Sequence, residues 1–473
     1  MAALGFGPLV WVLRSERRPL RSPMVLLGGA YFLGTFLHVI YWVLWVGEPP
    51  TELLVGATPA DWLLSVTSIV LWLAFTSAAY LLFGRNFSYI YKVAIGSQGR
   101  KSYSRTPQYL KPYYLVSSLL VCVVSLLGLY LVLRASGASD LEDLILRPVA
   151  KRRTEVVTAD GGTAVGGAGA YRLLSSFAGP TSALLFAHTQ ILQRRETALK
   201  IVIAVFFLIT MLTSLLLGGR TEVALTVLVY MLIYVWRTPK VNYKSLCWAL
   251  AAVVLLVVGA GVQRAAGNRG AEGRGSITQN AVVEEFISGR SWVNPTVLAP
   301  VYVAVPERVE YQLGGTYGRV LIAPIPRELW PEKPGVRVGP AYGPRIYGFS
   351  NRVTGTPLGL VGEAYLNFGM LGIPLSAFVL GGVLRHVRML IDRVESMNAA
   401  GVAALAYVAV ALALRLPGGD FVGVAITTLR SVLIIGLASK VLLVQQRREV
   451  RVVGRSELAA WQLGSMARKG VFK

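Results

Sequence analysis

Residues 356–384, TPLGLVGEAYLNFGMLGIPLSAFVLGGVL, decide how this chain folds. Thr356 followed by Pro357 has the form of a helix start, with threonine as cap and proline at the first helical position, where its missing N–H costs nothing. The 27 residues from Leu358 to Leu384 carry a single charge, Glu363. At 1.5 Å per residue they make about 40 Å of helix, longer than a hydrocarbon core of roughly 30 Å. The run therefore crosses a membrane with turns to spare, and those turns must project or bend. They hold Glu363 and Asn367, four apart and so on one helical face.

The rest of the chain has the same character. Of its 473 residues 54% are hydrophobic and only 15% charged, and the mean hydropathy is +0.56, which places it in the membrane class. Further apolar runs lie at Met24–Val46, Trp62–Phe83, Tyr113–Leu133, Leu173–Leu192, Ala198–Leu217, Glu222–Trp236, Leu246–Val262, Ala399–Leu414 and Phe421–Val444. The expectation is an all-α polytopic membrane protein of about ten transmembrane helices. No repeat of fixed period and no inverted pair of interrupted spans is visible, which removes one pointer toward a secondary transporter. Cys122 and Cys247 fall in or beside apolar runs, so no structural disulfide is expected, and no Cys/His spacing suits a metal.

A formal net charge of +23 would suggest nucleic acid in a soluble protein, but in a polytopic one it first reports orientation. With the N-terminus inside, 27 Lys and Arg fall on cytoplasmic segments, 19 fall outside and Arg430 lies within a span. Seventeen of the outer 19 sit in two long loops, where the rule has little weight, while the short outer turns hold only Arg220 and Arg415. Both termini are thus expected in the cytoplasm. The chain divides into a transmembrane region of about seven helices at 1–262, a large extracytoplasmic loop at 263–357, about three further helices at 358–444 and a basic cytoplasmic tail at 445–473.

Loops between spans are usually short, so one running from Gln263 to Pro357 has work to do. It opens on the Gly-rich, basic RAAGNRGAEGRGS, continues through AVVEEFISGRSW, which reads as a short helix, and ends in a segment holding Pro324, Pro326, Pro331, Pro334, Pro340 and Pro344. Prolines at that density argue against helix and central strand, while Trp330, Tyr317, Tyr342 and Tyr347 supply amphipathic rings. The expectation is an ordered, irregular lid at the outer interface.

Charged groups at a bilayer edge are costly unless they serve a site or snorkel. Those expected at the outer face are Arg220 and Glu222 in GGRTE, Glu363 with Asn367, and Arg415 and Asp420 in RLPGGDF. The loop adds Arg319, Arg327, Lys333, Arg337, Arg345 and Arg352. Arginine's planar fork suits phosphate oxygens, a dry cationic cavity can stabilise a departing pyrophosphate, and a nearby carboxylate can accept a proton from a sugar hydroxyl. These are the parts for glycosyl transfer from a lipid pyrophosphate, since a site facing away from the cytoplasm is out of reach of nucleotide sugars. Plainer readings stand beside them. Arg220 can anchor a helix end at the headgroups, Glu363 can be favoured at a helix start by the dipole, Arg415 and Asp420 can close a turn as a salt bridge, and single loop arginines can meet only solvent or lipid phosphate. His38 and His188 fall in expected spans and His386 on the cytoplasmic side, so none is placed as an outer base.

GGRTE, GGTYGRVLIAPIPRELWPEKP, TPLGLVGEAYLNFGMLGI and RLPGGDF together resemble the Wzy-type O-antigen polymerases, from about Arg220 to Asp420. Over the first 200 residues only the many-helix pattern matches. The resemblance implies a fold like the membrane-embedded C-type glycosyltransferases, located in the inner membrane with a periplasmic active site. It implies no metal or other cofactor, and as substrate an oligosaccharide linked to polyprenyl (undecaprenyl) pyrophosphate, serving as both donor and acceptor in lipopolysaccharide biosynthesis. Arg220, Arg319, Arg327, Arg345, Arg352 and Arg415 would then bind pyrophosphate or sugar, and Lys333, Asn367, Tyr317 and Tyr347 would complete the substrate contacts. Glu363 or Asp420 would be the base, with Arg220 as a third catalytic candidate. Glu363 is favoured because its helix follows the loop directly and Asn367 shares its face. Membrane lipids, a chain-length regulator and a flippase are further partners, and nucleic acid is not. The related O-antigen ligases typically present an outer-loop His that this sequence lacks, which favours the polymerase. A ligase-like transferase and a flippase for lipid-linked oligosaccharide remain the alternatives, although a flippase needs polar residues through the membrane depth and few stand in mid-span.

Overall fold

The computed structural model describes residues 9–41 apart from 13, 17 and 18, then 57–96, 108–135, 168–192, 196–216, 220–238, isolated positions between 241 and 251, 295–325, 329–348 apart from 331, and 356–445. Almost every described element is a helix. From the N-terminus they are α1 (Pro23–Tyr31), α2 (Leu37–Tyr41), α3 (Pro59–Gly96), α4 (Tyr114–Ala135), α5 (Ala168–Ser175), α6 (Ala178–Leu192), α7 (Thr197–Leu216) and α8 (Arg220–Arg237). Three shorter helices, α9 (Pro295–Ala304), α10 (Gly315–Ile322) and α11 (Val338–Tyr347), precede α12 (Gly359–Phe368), α13 (Gly372–Ile391), α14 (Ala399–Val410) and α15 (Phe421–Leu442). Two short strands, β1 (Gln108–Leu110) and β2 (Leu443–Gln445), pair antiparallel, with Tyr109 opposite Val444.

Seven segments are long and apolar enough to cross a membrane: Pro23–Ile40, Pro59–Gly84, Tyr114–Arg134, Thr197–Ser214, Gly359–Ile391, Ala399–Gly418 and Phe421–Leu442. Each overlaps one of the ten runs read from the sequence. The run 173–192 is instead divided between α5 and α6, broken at Ser176–Phe177, and the apolar part of α8, Val223–Arg237, is short of a full span. Most of 246–262 lies outside the described residues, as does the helix expected at 281–292.

Close packing of small residues holds the bundle together, as expected where lipid on the outside removes much of the hydrophobic drive for helix association. α13 lies along α3 with Gly381 against the α3 backbone, where a Cβ would fall 2.8 Å from that of Ala79. Trp72 of α3 donates its indole N–H to Ser376 Oγ of α13 at 3.0 Å. Capping follows ordinary chemistry at α1, where Ser22 Oγ accepts from Met24 N–H with Pro23 at the first position, and at α14, where Asn398 Oδ1 accepts from Gly401 N–H at 2.8 Å.

Two expectations from the loop and its exit need correction. Proline density does not prevent α11, which contains Pro340 and Pro344. Pro340 falls in the first turn, where no N–H is needed, and burial of Val338, Tyr342, Ile346 and Tyr347 compensates for the one bond lost at Pro344. The helix after Pro357 starts at Gly359 rather than at the Thr356–Pro357 pair, because Gly359 turns the chain at φ +71° against the Pro417 carbonyl, with no room for a Cβ. The surplus length of the 358–384 run does bend. It breaks at Gly369 (φ 60°, ψ −148°) into a 3₁₀ turn, Gly369–Leu371, before α13 continues.

Candidate active site

The break after α12 is where the loop docks. A helix end leaves carbonyls unpaired, and here the chain before α10 supplies the donors: Gln312 N–H reaches Leu366 O and Leu313 N–H reaches Asn367 O, each at 3.0 Å. Asn367, fully buried, accepts from Gly314 N–H (2.9 Å) and Thr316 N–H (3.4 Å), so the side chain that ends α12 also caps the start of α10. Its amide donates to Thr316 Oγ1 and to Glu363 O, both at 2.7 Å.

Glu363, one turn earlier on that face, is also fully buried. Its Oε1 accepts from Thr316 Oγ1 and its Oε2 from the N–H of Phe421, each at 2.8 Å. Phe421 opens α15, whose own N-cap residue, Asp420, makes no side-chain cap bond. A carboxylate from α12 therefore takes the capping role, at a helix N-terminus whose dipole favours negative charge. Among the described residues both of its hydrogen-bond donors are neutral.

Asp420 turns instead toward the loop. It is 4% exposed and accepts from Arg337 Nε, at 3.2 Å on Oδ1 and 3.4 Å on Oδ2. Its carboxylate lies across the first turn of α15, where only glycine fits: a Cβ on Gly423 would sit 2.7 Å from Oδ1. The Arg337 side chain, at the N-cap of α11, is 58% exposed. Arg319, on α10, donates to Gly335 O at 2.7 Å and to the hydroxyl of Tyr342, over whose ring its guanidinium lies 5.0 Å from the centroid. Tyr342 in turn donates to Gln312 Oε1. Tyr317 meets the ring of Phe421 edge-on, centroids 5.2 Å apart, and burial, then the Glu363 charge, hold its phenol above the ordinary range.

Glu363, Asn367, Asp420, Tyr317 and Arg319 thus gather around the junction of α10, α12 and α15. Lys333 instead meets the chain just past the C-terminal end of α10, donating to Ala323 O (2.8 Å) and Ile325 O (2.7 Å). Tyr347 is a packing residue, 1% exposed, with its hydroxyl on Val297 O. Arg345 is exposed on α11, and Arg415, half-buried, ends the π-helical turn that follows α14. Arg220 is the first residue of α8, which packs on α6 and α14. Arg327 and Arg352 lie outside the described residues. His38 is a buried packing histidine, bonded through Nε2 to Thr296 Oγ1 at 3.0 Å. The sequence reading missed Thr316 and left Arg337 among many loop cations. A threonine after two glycines carries no signal, and the partner of Arg337 is 83 residues away.

The arrangement sets two buried carboxylates side by side at one helix N-terminus, one tied into the fold and one covered by a cation that faces outward. Displacing Arg337 onto an anionic ligand would uncover Asp420, a step open to a proton acceptor paired with an anion-binding group. Among known sequence families, the one described as O-antigen polysaccharide polymerase Wzy matches residues 172–412, just over half of the chain. The match takes in Thr316, Arg319, Arg337, Glu363 and Asn367 and stops short of Arg415 and Asp420. No curated protein and no solved structure matches the chain.

Proposed function

The chain belongs to the Wzy family of O-antigen polysaccharide polymerases, and from that premise we propose that it joins oligosaccharide repeat units carried on polyprenyl pyrophosphate. The reaction is metal-independent glycosyl transfer on the face of the membrane away from the cytoplasm, where both termini lie. The distribution of Lys and Arg between short segments supports this orientation.

In the reaction, a hydroxyl of the distal sugar on one carrier attacks the anomeric carbon of the growing glycan on another. The bond from that carbon to the pyrophosphate oxygen breaks, and the glycan passes to the acceptor as polyprenyl pyrophosphate departs. Asp420 takes the hydroxyl proton. Arg337 and Arg345 grip the pyrophosphate and offset its charge, and Arg220, Arg327, Arg352 and Arg415 are further candidates for phosphate or sugar contact by their chemistry. Glu363 positions: with both oxygens engaged and no exposure, it holds α10 and α15 in register rather than meeting substrate. The observation that carries this reading is the buried Asp420 carboxylate covered by a side chain that is itself 58% exposed.

Purified protein in vesicles, given lipid pyrophosphate-linked oligosaccharide, should produce a ladder of lengthening glycans, and Asp420→Asn should abolish it. Transfer of a single glycan to a different lipid acceptor would instead mark a ligase. Passage of the lipid across the bilayer without lengthening would mark a flippase.

A further inference from the structure

The segment from Tyr311 to Ile325 has the chemistry of a buried span, although it is too short to be one. In its 15 residues Arg319 is the only charge. That charge is turned inward, onto Gly335 O and onto the hydroxyl and ring of Tyr342. Outward the segment shows Leu313, 79% exposed, and Leu321, 80% exposed, with bare glycine between them: a Cβ at Gly315 or Gly318 would meet nothing within 4 Å. Charged, exposed residues flank it, Glu307, Arg308 and Glu310 before and Glu332 after.

Its backbone is satisfied by protein at both ends. Asn367 accepts from Gly314 and Thr316, Gly315 N–H donates to Gln312 O, and Lys333 covers the carbonyls of Ala323 and Ile325. Polar loops in water do not need such provision, because solvent does the same work. A helix set in hydrocarbon does need it, since an unpaired peptide group there finds no water to bond.

The apolar face also continues into the exposed apolar side of a helix long enough to span a membrane. Tyr317 packs on Phe368, centroids 6.4 Å apart, and from Phe368 the exposed series runs through Met370, Leu371, Leu375 and Val379 along the span Gly359–Ile391. Tyr311, which opens the segment, and Trp330, five residues beyond its end, are both partly exposed and are residues suited to the headgroup boundary.

We propose that α10 is a re-entrant helix whose Gly315–Gly318–Leu321 face rests in the hydrocarbon edge of the bilayer, its occupant being lipid acyl chains rather than water or another protein. The inference is independent of which reaction the site performs. Single-cysteine variants Gly318→Cys and Leu321→Cys, with Glu310→Cys and Glu332→Cys as aqueous controls and Cys122 and Cys247 replaced by alanine, would be spin-labelled in the full-length protein and reconstituted in phosphatidylcholine vesicles. Collision with oxygen, which partitions into lipid, is compared with collision with a water-soluble nickel chelate. The expected result is an oxygen-to-nickel ratio several-fold higher at 318 and 321 than at 310 and 332. Nickel access at 318 and 321 equal to that of the controls would overturn the proposal, and so would protection from both reagents, which would mean a protein occupant. Position 318 opens onto free space, so the test survives a failure of Leu321→Cys to fold. No glycan substrate is present, so a failed polymerisation assay leaves it untouched.

Discussion

Two buried carboxylates sit toward opposite ends of the broken helix α12–α13, and they are held in opposite ways. The side chain of Glu16, from the N-terminal segment, is 6% exposed and meets Arg388 Nε of α13 at 2.7 Å, Arg385 at 3.9 Å and the hydroxyl of Tyr80. Cations neutralise it. Glu363, at the α12 end, has a hydroxyl and a peptide N–H as its hydrogen-bond donors, and the cations of its neighbourhood are committed elsewhere, Arg337 to Asp420 and Arg319 to Tyr342 and Gly335. A carboxylate clasped by arginines is closed to further charge and ties three elements together. A pair of carboxylates with one outward-facing arginine leaves charge that a ligand can rearrange. Burial alone therefore does not mark a functional acid; the partner does.

That contrast can be broken by substitution. The largest effect is expected from Asp420→Asn, which removes the proposed proton acceptor while keeping shape: glycan lengthening should fall by about 10²–10⁴-fold with unfolding in detergent little changed. Normal ladders from this variant would return Asp420 to a structural role. Glu16→Ala should do the reverse: Arg388 keeps Asp392 at 3.0 Å and Arg385 keeps the Tyr80 ring, but the charged hydrogen bonds to Glu16 are lost at a cost of about 1.5–3 kcal/mol, read as a lower unfolding temperature, while turnover per folded molecule is retained.

Smaller effects sharpen the picture around Glu363. Thr316→Val deprives Glu363 Oε1 of its donor and Asn367 of one of its two acceptors, and should cost about 1–3 kcal/mol with loosened protection of α10 in hydrogen exchange. Unchanged protection there would mean that the loop is held by the Gln312 and Leu313 backbone bonds alone. Arg337→Lys keeps the charge but loses the fork, and is expected to raise the apparent KM for lipid pyrophosphate substrate several-fold with kcat less affected. A fall in kcat without a change in KM would assign Arg337 to orienting Asp420 instead.

Much of this was legible beforehand, for identifiable reasons. Hydropathy over about 20 residues is a local property, so seven of the ten expected runs return as spans, and the excess length of 358–384 announced the bend at Gly369. Glu363 and Asn367 sharing a face follows from helical spacing. The prolines of α11 misled because propensity is a weak prior beside burial of a ten-residue helix. The Thr356–Pro357 start misled because the Gly359 turn answers to Pro417, a neighbour in space only. Lys333 and Tyr347 carried the right chemistry for a sugar or phosphate, but their polar atoms are taken up by backbone carbonyls that no pattern along the chain reveals.

Composition and periodicity by themselves determined that this chain is a helical membrane protein, and short motifs pointed to its family, because both are written in neighbouring residues. Only the tertiary structure decided that Glu363 caps a helix 58 residues downstream, that Arg337 covers Asp420, and that Asn367 joins the end of one helix to the start of another. Those pairings are made by side chains meeting across elements, and their energies depend on distance in space, which the order of residues along a chain does not contain.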